Sequence, residues 1–220
     1  GSWSQLGSDI NGLSTSEYSG DAVSLNNDGT IVAIGAWLKN SQTGTTRIYE
    51  YSSGSWSQIG SDINGTTSGE RSGYSVSLNG DGTIVAIGAY KYSSSKGHVR
   101  IYQYISGSWS LLGSQLDGVS SNDIFGYSVS LNYDGSILAI GAPYKDANGA
   151  NSGYVKIYNW ESPTWNELIV INGKNLVETI GWSVKLNGRG NILAIGAPGS
   201  KGISNDVNKP SGVVRVYRLG

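Results

Sequence analysis

Four near-copies of one segment follow one another along this chain, and repetition at a fixed period decides an architecture before any single motif does. The string SWSQLGSDI, from Ser2 to Ile10, returns as SWSQIGSDI from Ser55, as SWSLLGSQL from Ser108 and as TWNELIVI from Thr164. Its tryptophans, Trp3, Trp56, Trp109 and Trp165, are spaced by 53, 53 and 56 residues. A second block, IVAIGA or ILAIGA, begins at Ile31, Ile84, Ile137 and Ile192. A third (RIYEY, RIYQY, KIYNW, RVYRL) begins at Arg47, Arg100, Lys156 and Arg215.

Each copy holds four strand-like segments parted by Gly-rich turns. In the third, Val129 and Leu131 lie two apart on one face, SILAIGA is apolar throughout, and GYVKIYNW alternates. The continuous run suits a strand covered on both faces. A four-stranded unit of about 50 residues is the size of a propeller blade. The expectation is therefore one all-β domain, a four-bladed β-propeller of four-stranded antiparallel blades. The blades span about 19–63, 72–116, 125–171 and 180–218, with residues 2–10 as the outer strand of the last.

The phase of the repeat adds a prediction. The sequence opens with a Trp-bearing outer strand and closes on a third strand, GVVRVYRLG. Left unpaired, the edge from Val213 to Tyr217 would invite aggregation. Pairing the N-terminal strand with this C-terminal strand closes the ring, and within one chain the effective concentration is of roughly millimolar order. Donation of that strand by a neighbouring chain is the alternative.

Composition removes several function classes. Only 14% of the 220 residues are charged and the formal net charge is -1, so there is no basic face for nucleic acid. No run approaches 18 apolar residues. With no Cys there is no disulfide or thiol chemistry, and the single His98 excludes a site built from two imidazoles. The absence of Met points to a processed or excised piece, with no signal segment to read.

Phe125-Gly126, followed by Gly141-Ala142-Pro143, resembles the FG-GAP repeat of integrin α-chain-type propellers. The fourth copy has Ile180-Gly181 with Gly196-Ala197-Pro198; the first two keep Gly20 with Gly35-Ala36 and Gly73 with Gly88-Ala89. The resemblance covers essentially the whole chain and implies an extracellular propeller with a role in binding or adhesion. Integrin-type propellers have seven blades, whereas four repeats stand here. The resemblance also implies a Ca²⁺ loop between first and second strands, with acidic or amide groups at positions 1, 3, 5 and 9. These positions fall on Ser77, Asn79, Asp81 and Val85, and on Ser130, Asn132, Asp134 and Leu138. A hard cation wants six to eight oxygens, which Val85 and Leu138 cannot supply, and Arg189 stands where an Asp belongs. Asp28, Asp81 and Asp134 are expected as turn formers, with no metal and no cofactor.

Catalysis finds little support. His98 aligns with Thr45, Tyr154 and Val213, an ordinary strand position for a residue that a Ser-His-Asp arrangement would need. Asp9 and Asp62 repeat in phase, as scaffold residues do. Glu17, Glu70, Asp123, Asp146 and Glu178 read as acids without such counterparts, but nothing brings two together as glycoside hydrolysis requires. The Gly-rich segments lack the strand–loop–helix setting of a phosphate loop. No enzyme is expected. The repeated tryptophans, and Tyr49, Tyr102, Tyr158 and Tyr217, read as packing.

Binding residues concentrate on loops carried by a rigid scaffold. Two loop sets are short and uniform; the other two are long, varied and share one face, because antiparallel strands alternate direction. They offer Trp37, Lys39, Tyr90, Lys91, Tyr92, Tyr144 and Lys145 among Ser and Asn. Such side chains suit a glycan or an extracellular protein. Asn64-Gly65-Thr66 fits an N-glycosylation acceptor. The expectation is a non-catalytic binding or adhesion module, extracellular or at the cell surface and not membrane-embedded. The alternative is a structural subunit that polymerises into a surface layer or filament by strand complementation.

Overall fold

The computed structural model describes residues 1–202 and 210–219. Blade 1 holds β1 (Ala22–Leu25), β2 (Ile31–Ala36), β3 (Thr45–Ser52), β4 (Ser55–Gln58) and β5 (Ile63–Asn64). Blade 2 repeats it with β6 (Ser75–Leu78), β7 (Ile84–Ala89), β8 (His98–Ile105), β9 (Ser108–Leu111) and β10 (Leu116–Asp117). Blade 3 holds β11 (Ser128–Leu131), β12 (Ile137–Ala142), β13 (Tyr154–Glu161) and β14 (Thr164–Asn172). Blade 4 holds β15 (Ser183–Leu186), β16 (Ile192–Ala197) and β17 (Val213–Arg218). Every pairing within the blades is antiparallel, in chain order from inner to outer strand. The fold is a four-bladed β-propeller.

The apolar second strands lie where the sequence pattern places them. β7 is buried at all six positions and β12 at five, because each is flanked in its sheet and covered by neighbouring blades. The turns before them are built alike. Asn26, Asn79, Asn132 and Asn187 each turn the side-chain carbonyl back to accept from the N–H of Ile31, Ile84, Ile137 and Ile192 at 2.8–3.0 Å. Asp28, Asp81 and Asp134 accept from the backbone N–H and hydroxyl of Thr30, Thr83 and Ser136. The aspartates are turn formers, their lone pairs engaged within their own loops.

The outer strand is less regular than its sequence suggests. In blades 1 and 2 it breaks into two pieces around Gly60 and Gly113, both at positive φ. A Cβ on Gly60 would lie 2.6 Å from Cδ1 of Trp109 in the next blade. Ile169 follows Leu168 where Gly113 follows Leu112, and β14 runs unbroken, with one register shift opposite Ile157 and Tyr158.

Three kinds of contact recur between consecutive blades, the first two at all three seams from blade 1 to blade 4. At the axis, the hydroxyls of Ser24, Ser77 and Ser130 accept from the N–H of Leu78, Leu131 and Leu186 at 2.9–3.0 Å. Further out, Gly35, Gly88 and Gly141 sit so close to the carbonyls of Gly73, Gly126 and Gly181 that a Cβ would collide with the oxygen. At the rim of the first two seams, Trp109 and Trp165 donate their indole N–H to the carbonyls of Ile59 and Leu112 at 3.0 Å, and Trp56 makes the same bond to Leu6 of the N-terminal segment at 2.8 Å. The repeated tryptophans thus lock blade to blade.

The expected closing strand does not form. Residues 2–10 are not a strand, and among the described residues β17 pairs only with β16. The N-terminal segment instead lies on blade 1, its Leu6 carbonyl held by Trp56. Among the described residues, the junction of blades 4 and 1 has none of the three seam contacts. Chemistry at the axis accounts for part of this. Lys185 occupies the place of the three serines, and an ammonium has no lone pair to accept the next N–H.

The axial hydrogen bond carries a definite cost if broken. Ser77→Ala leaves the buried Leu131 N–H without its acceptor and should destabilise the protein by about 1–3 kcal/mol, read as a lower thermal midpoint. Lys185→Ala, at the same repeat position without a partner N–H, should leave the midpoint within about 0.5 kcal/mol of the parent.

Candidate functional site

The two varied loop sets meet on one face, as their shared direction requires. Gly69, Arg71 and Ser72 donate backbone N–H groups to the carbonyls of Ser41, Gln42 and Thr43 at 2.8–3.2 Å. Blade 2 joins blade 3 in the same way, through Asn122, Ile124 and Phe125. Residues 203–209 of the fourth variable loop lie outside the described residues.

Beneath this face each blade buries an acid. Glu17, Glu70, Asp123 and Glu178 each stand three residues before a motif glycine (Gly20, Gly73, Gly126, Gly181), so they form a repeated position after all. Each carboxylate accepts from backbone N–H groups of its own loop: Leu13, Thr66 and Thr67, Val119 and Ser120, Lys174 and Asn175. Each also meets a cation. Arg47 lies 2.8 Å from Glu17, Arg100 lies 2.7 Å from Glu70, and Arg215 bonds Glu178. In blade 3 the strand cation Lys156 turns away to Glu167, and Lys145 approaches Asp123 at 3.5 Å instead. The Arg47 hydrogen bond holds the Glu17 carboxyl down to about 2. At Glu178 burial pushes upward, but Arg215 and the loop N–H groups outweigh it and the carboxyl is lowered. All four acids are held by their own loops and by a neighbouring cation.

The next residue in each blade, Tyr18, Arg71, Ile124 or Thr179, has positive φ. That conformation costs roughly 1–3 kcal/mol for such side chains, and the anchored carboxylate beside it fixes the backbone there. The residue after each motif glycine is Asp21, Tyr74, Tyr127 or Trp182, at the start of the inner strand. The last three are aromatic and converge on the axis of the face.

A continuous row of rings results. Tyr18 meets Trp37 at 5.9 Å, Trp37 meets Tyr74 at 6.2 Å, and Tyr74 meets Tyr127 at 5.1 Å. Tyr127 meets Trp182 at 4.9 Å, and Trp182 meets Tyr144 at 6.2 Å. Tyr90 packs on both central tyrosines. Arg71 lies over the Trp37 ring at 4.5 Å and donates to the Tyr90 hydroxyl at 2.5 Å. Burial raises the phenols of Tyr74 and Tyr127, so both stay protonated at neutral pH. Beside the row opens a cleft of about 890 Å³, lined by Arg71, Tyr74, Tyr90, Lys91, Tyr127, Tyr144 and Lys145 with Ser120, Ser121, Asn122 and Asn151. Its size is that of a ligand site.

Of the residues singled out in the sequence, Tyr90, Lys91, Tyr144 and Lys145 line this cleft. Trp37 belongs to the row, its indole N–H bound to Asp21 at 2.8 Å. Lys39 does not line the cleft; it pairs with Asp62 at 2.6 Å. Tyr92 does not line it either and packs on His98 at 4.4 Å. Asn64 is exposed at β5, while the Thr66 hydroxyl donates to Glu70. Tyr74, Tyr127 and Trp182 stand at a repeated position, which a search for differences between copies passes over, and Arg71 lies in a varied loop where the sequence analysis does not single it out. The signal was the aromatic one place after the motif glycine in three copies.

Those glycines define the repeat chemically. Gly20, Gly73, Gly126 and Gly181 donate N–H to the carbonyls of Gly35, Gly88, Gly141 and Gly196 at 3.1–3.2 Å, so FG and GAP bond within each blade. Residues 116–158, from β10 of blade 2 into β13 of blade 3, match the family described as FG-GAP repeat. The four-bladed β-propeller is consistent with that repeat. No curated protein matches this chain. The FG-GAP propeller is a binding or adhesion type of module, and among the described residues no helix is long and apolar enough to cross a membrane.

His98 is fully buried beneath this face, 4.0 Å from Glu70, and among the described residues neither ring nitrogen has a hydrogen-bond partner. Burial, with the Arg100 charge, pushes its pKa down to about 3. The unfolded chain therefore takes up this proton first, and stability is lost as pH falls from about 6.5 towards 3. Glu17 adds a loss of the same sign from its ordinary 4.5 down to about 2. His98→Val, the residue blade 4 has at this position, should flatten the decline in urea midpoint between pH 6.5 and 4.5. An unchanged slope across that interval would show that His98 is not its source.

Proposed function

We propose that this propeller is a non-catalytic extracellular binding or adhesion module that takes a protein or glycan partner on its loop face. The observation that carries this reading is the aromatic row beside an open cleft. Rings supply large contact area at small entropic cost, and here they are held rigid before any partner arrives. Their mutual tilts of 47–79° around Tyr74, Tyr90 and Tyr127 leave no single flat stacking face. Lys91 is exposed at the cleft, and Tyr144 at its margin is 42% exposed. Engagement of Glu17, Glu70 and Glu178 by arginine and loop backbone supports a non-catalytic role, since a catalytic carboxylate must be open to substrate.

The test is a screen of immobilised glycans and extracellular proteins with the intact chain, repeated with Tyr144→Ala and Lys91→Ala. Both side chains are exposed, so the fold should survive. A genuine partner should lose about tenfold or more in affinity with each variant. Tyr133→Ala, exposed at the turn end of the inner strands, should leave binding unchanged. A partner indifferent to the first two variants and weakened by the third would place recognition on the other face.

A further inference from the structure

Among the described residues, Arg71 and Lys91 of the cleft have no counter-charge, and we propose that they receive the carboxylates of an acidic, partly apolar peptide segment of a protein partner. This rests on the loop face being the binding face and names the chemistry it selects. The two cations flank one ring. The Arg71 guanidinium carbon stands 5.7 Å and the Lys91 ammonium 5.6 Å from the centre of Tyr90. Neutral groups alone orient Arg71: its Nε donates to Gln42 Oε1 at 2.9 Å, its Nη1 donates to the Tyr90 hydroxyl, and it lies over the Trp37 ring. Among the described residues its Nη2 has no hydrogen-bond partner.

The acids nearby are already engaged. Glu70 is bound to Arg100 and its own loop, Asp123 to Lys145 and its own loop, and Asp21 to the Trp37 indole. Asp146, the exposed acid of the cleft, accepts the Asn151 N–H at 2.7 Å. With Lys145 and Asp123 cancelling, two cations face one acid. Like charges against one ring repel, and the protein wall focuses their field into the opening. An anion relieves that repulsion. Arg71 is already fixed in place, so it loses little freedom when the anion arrives.

The surroundings select among anions. Tyr144 and Asn151 also line a second recess of about 550 Å³, walled by Val177, Trp182 and Pro198 with Thr179 and Gly199. Val177 and Trp182 are exposed, and among the described residues no charged side chain lines this recess. A basic cleft and an uncharged, largely apolar recess thus share a wall. Peptide side chains alternate in this way from one residue to the next, whereas an acidic glycan carries charge and hydroxyls along its whole length. Tilted rings without a flat stacking face also favour the peptide. Ser121 and Asn122, both exposed at the cleft, can bond its backbone.

Fluorescence anisotropy of the intact chain with three short labelled probes tests this assignment. They are a peptide of glutamate, leucine and serine, its analogue with glutamine for glutamate, and an alginate oligomer as the acidic glycan. The glutamate peptide should bind at least about tenfold tighter than the glutamine analogue and weaken as salt rises. The formal net charge of the chain is -1, so such attraction is local to the cleft. Lys91→Glu should cost the glutamate peptide about tenfold or more and spare the glutamine analogue. Lys185→Glu, the same change at an exposed position at the turn end of the inner strands, should leave the glutamate peptide within about twofold. Equal loss with both variants would reveal unspecific attraction and overturn the proposal. Equal affinity for the two peptides, lost with Tyr144→Ala but not with Lys91→Glu, would overturn the carboxylate site and keep the loop face as the binding face. Tighter binding of alginate, lost with Lys91→Glu, would overturn the peptide and assign the cleft to an acidic glycan. Failure of all three probes would overturn the anion site, and the wider screen described above would decide the loop face separately.

Discussion

Blades are joined where two backbones touch without a side chain between them. The second glycine of each motif pair (Gly35, Gly88, Gly141) faces the carbonyl of the first glycine of the next blade (Gly73, Gly126, Gly181). The same first glycine, through its N–H, bonds the second glycine of its own blade. One residue thus closes a blade and presses against its neighbour, using its two backbone groups in two directions. Only glycine allows this approach. The serine hydrogen bonds at the axis and the indole hydrogen bonds at the rim act on blades already brought to that distance.

The chemistry of the face follows from that spacing. With the inner strands fixed, the residue after each first glycine projects to a common centre, and three of the four are aromatic. The buried acids three residues earlier hold the loops: their oxygens accept loop N–H groups and their charge is met by Arg47, Arg100, Lys145 or Arg215. Removing one partner of a buried pair strands the other charge, which makes these loops rigid platforms. A preorganised aromatic surface on rigid loops suits recognition, because little ordering remains to oppose binding.

The blades, their strand order and the turn role of Asp28, Asp81 and Asp134 were legible in the sequence, since each follows from local periodicity copied several times. Closure was not legible. It rests on contacts between the last blade and the first, where Lys185 departs from the serine pattern of Ser24, Ser77 and Ser130 and nothing local flags the consequence. At the site, Tyr90, Lys91, Tyr144 and Lys145 were found by looking where copies differ. That rule also admitted Lys39 and Tyr92, whose partners Asp62 and His98 come from distant parts of the chain. It excluded Tyr74 and Tyr127, because a site that assembles around a symmetry axis is built from equivalent positions. The acids were misread for a related reason: their register is set from the motif glycine, and loop lengths upstream hide it.

Thermal unfolding of Gly88→Ala beside Gly196→Ala, at dilute protein, tests the glycine contact most directly. The substitutions are chemically identical and occupy the same repeat position. At Gly88 the new methyl meets the Gly126 carbonyl, a backbone atom; at Gly196 it meets only the movable Ser183 side chain. The account predicts a loss of about 3 kcal/mol for Gly88→Ala, a fall of roughly 6–12 °C in midpoint, and less than about 1 kcal/mol for Gly196→Ala. Equal midpoints for the two variants would contradict it, because blade spacing would then owe nothing to the bare glycine.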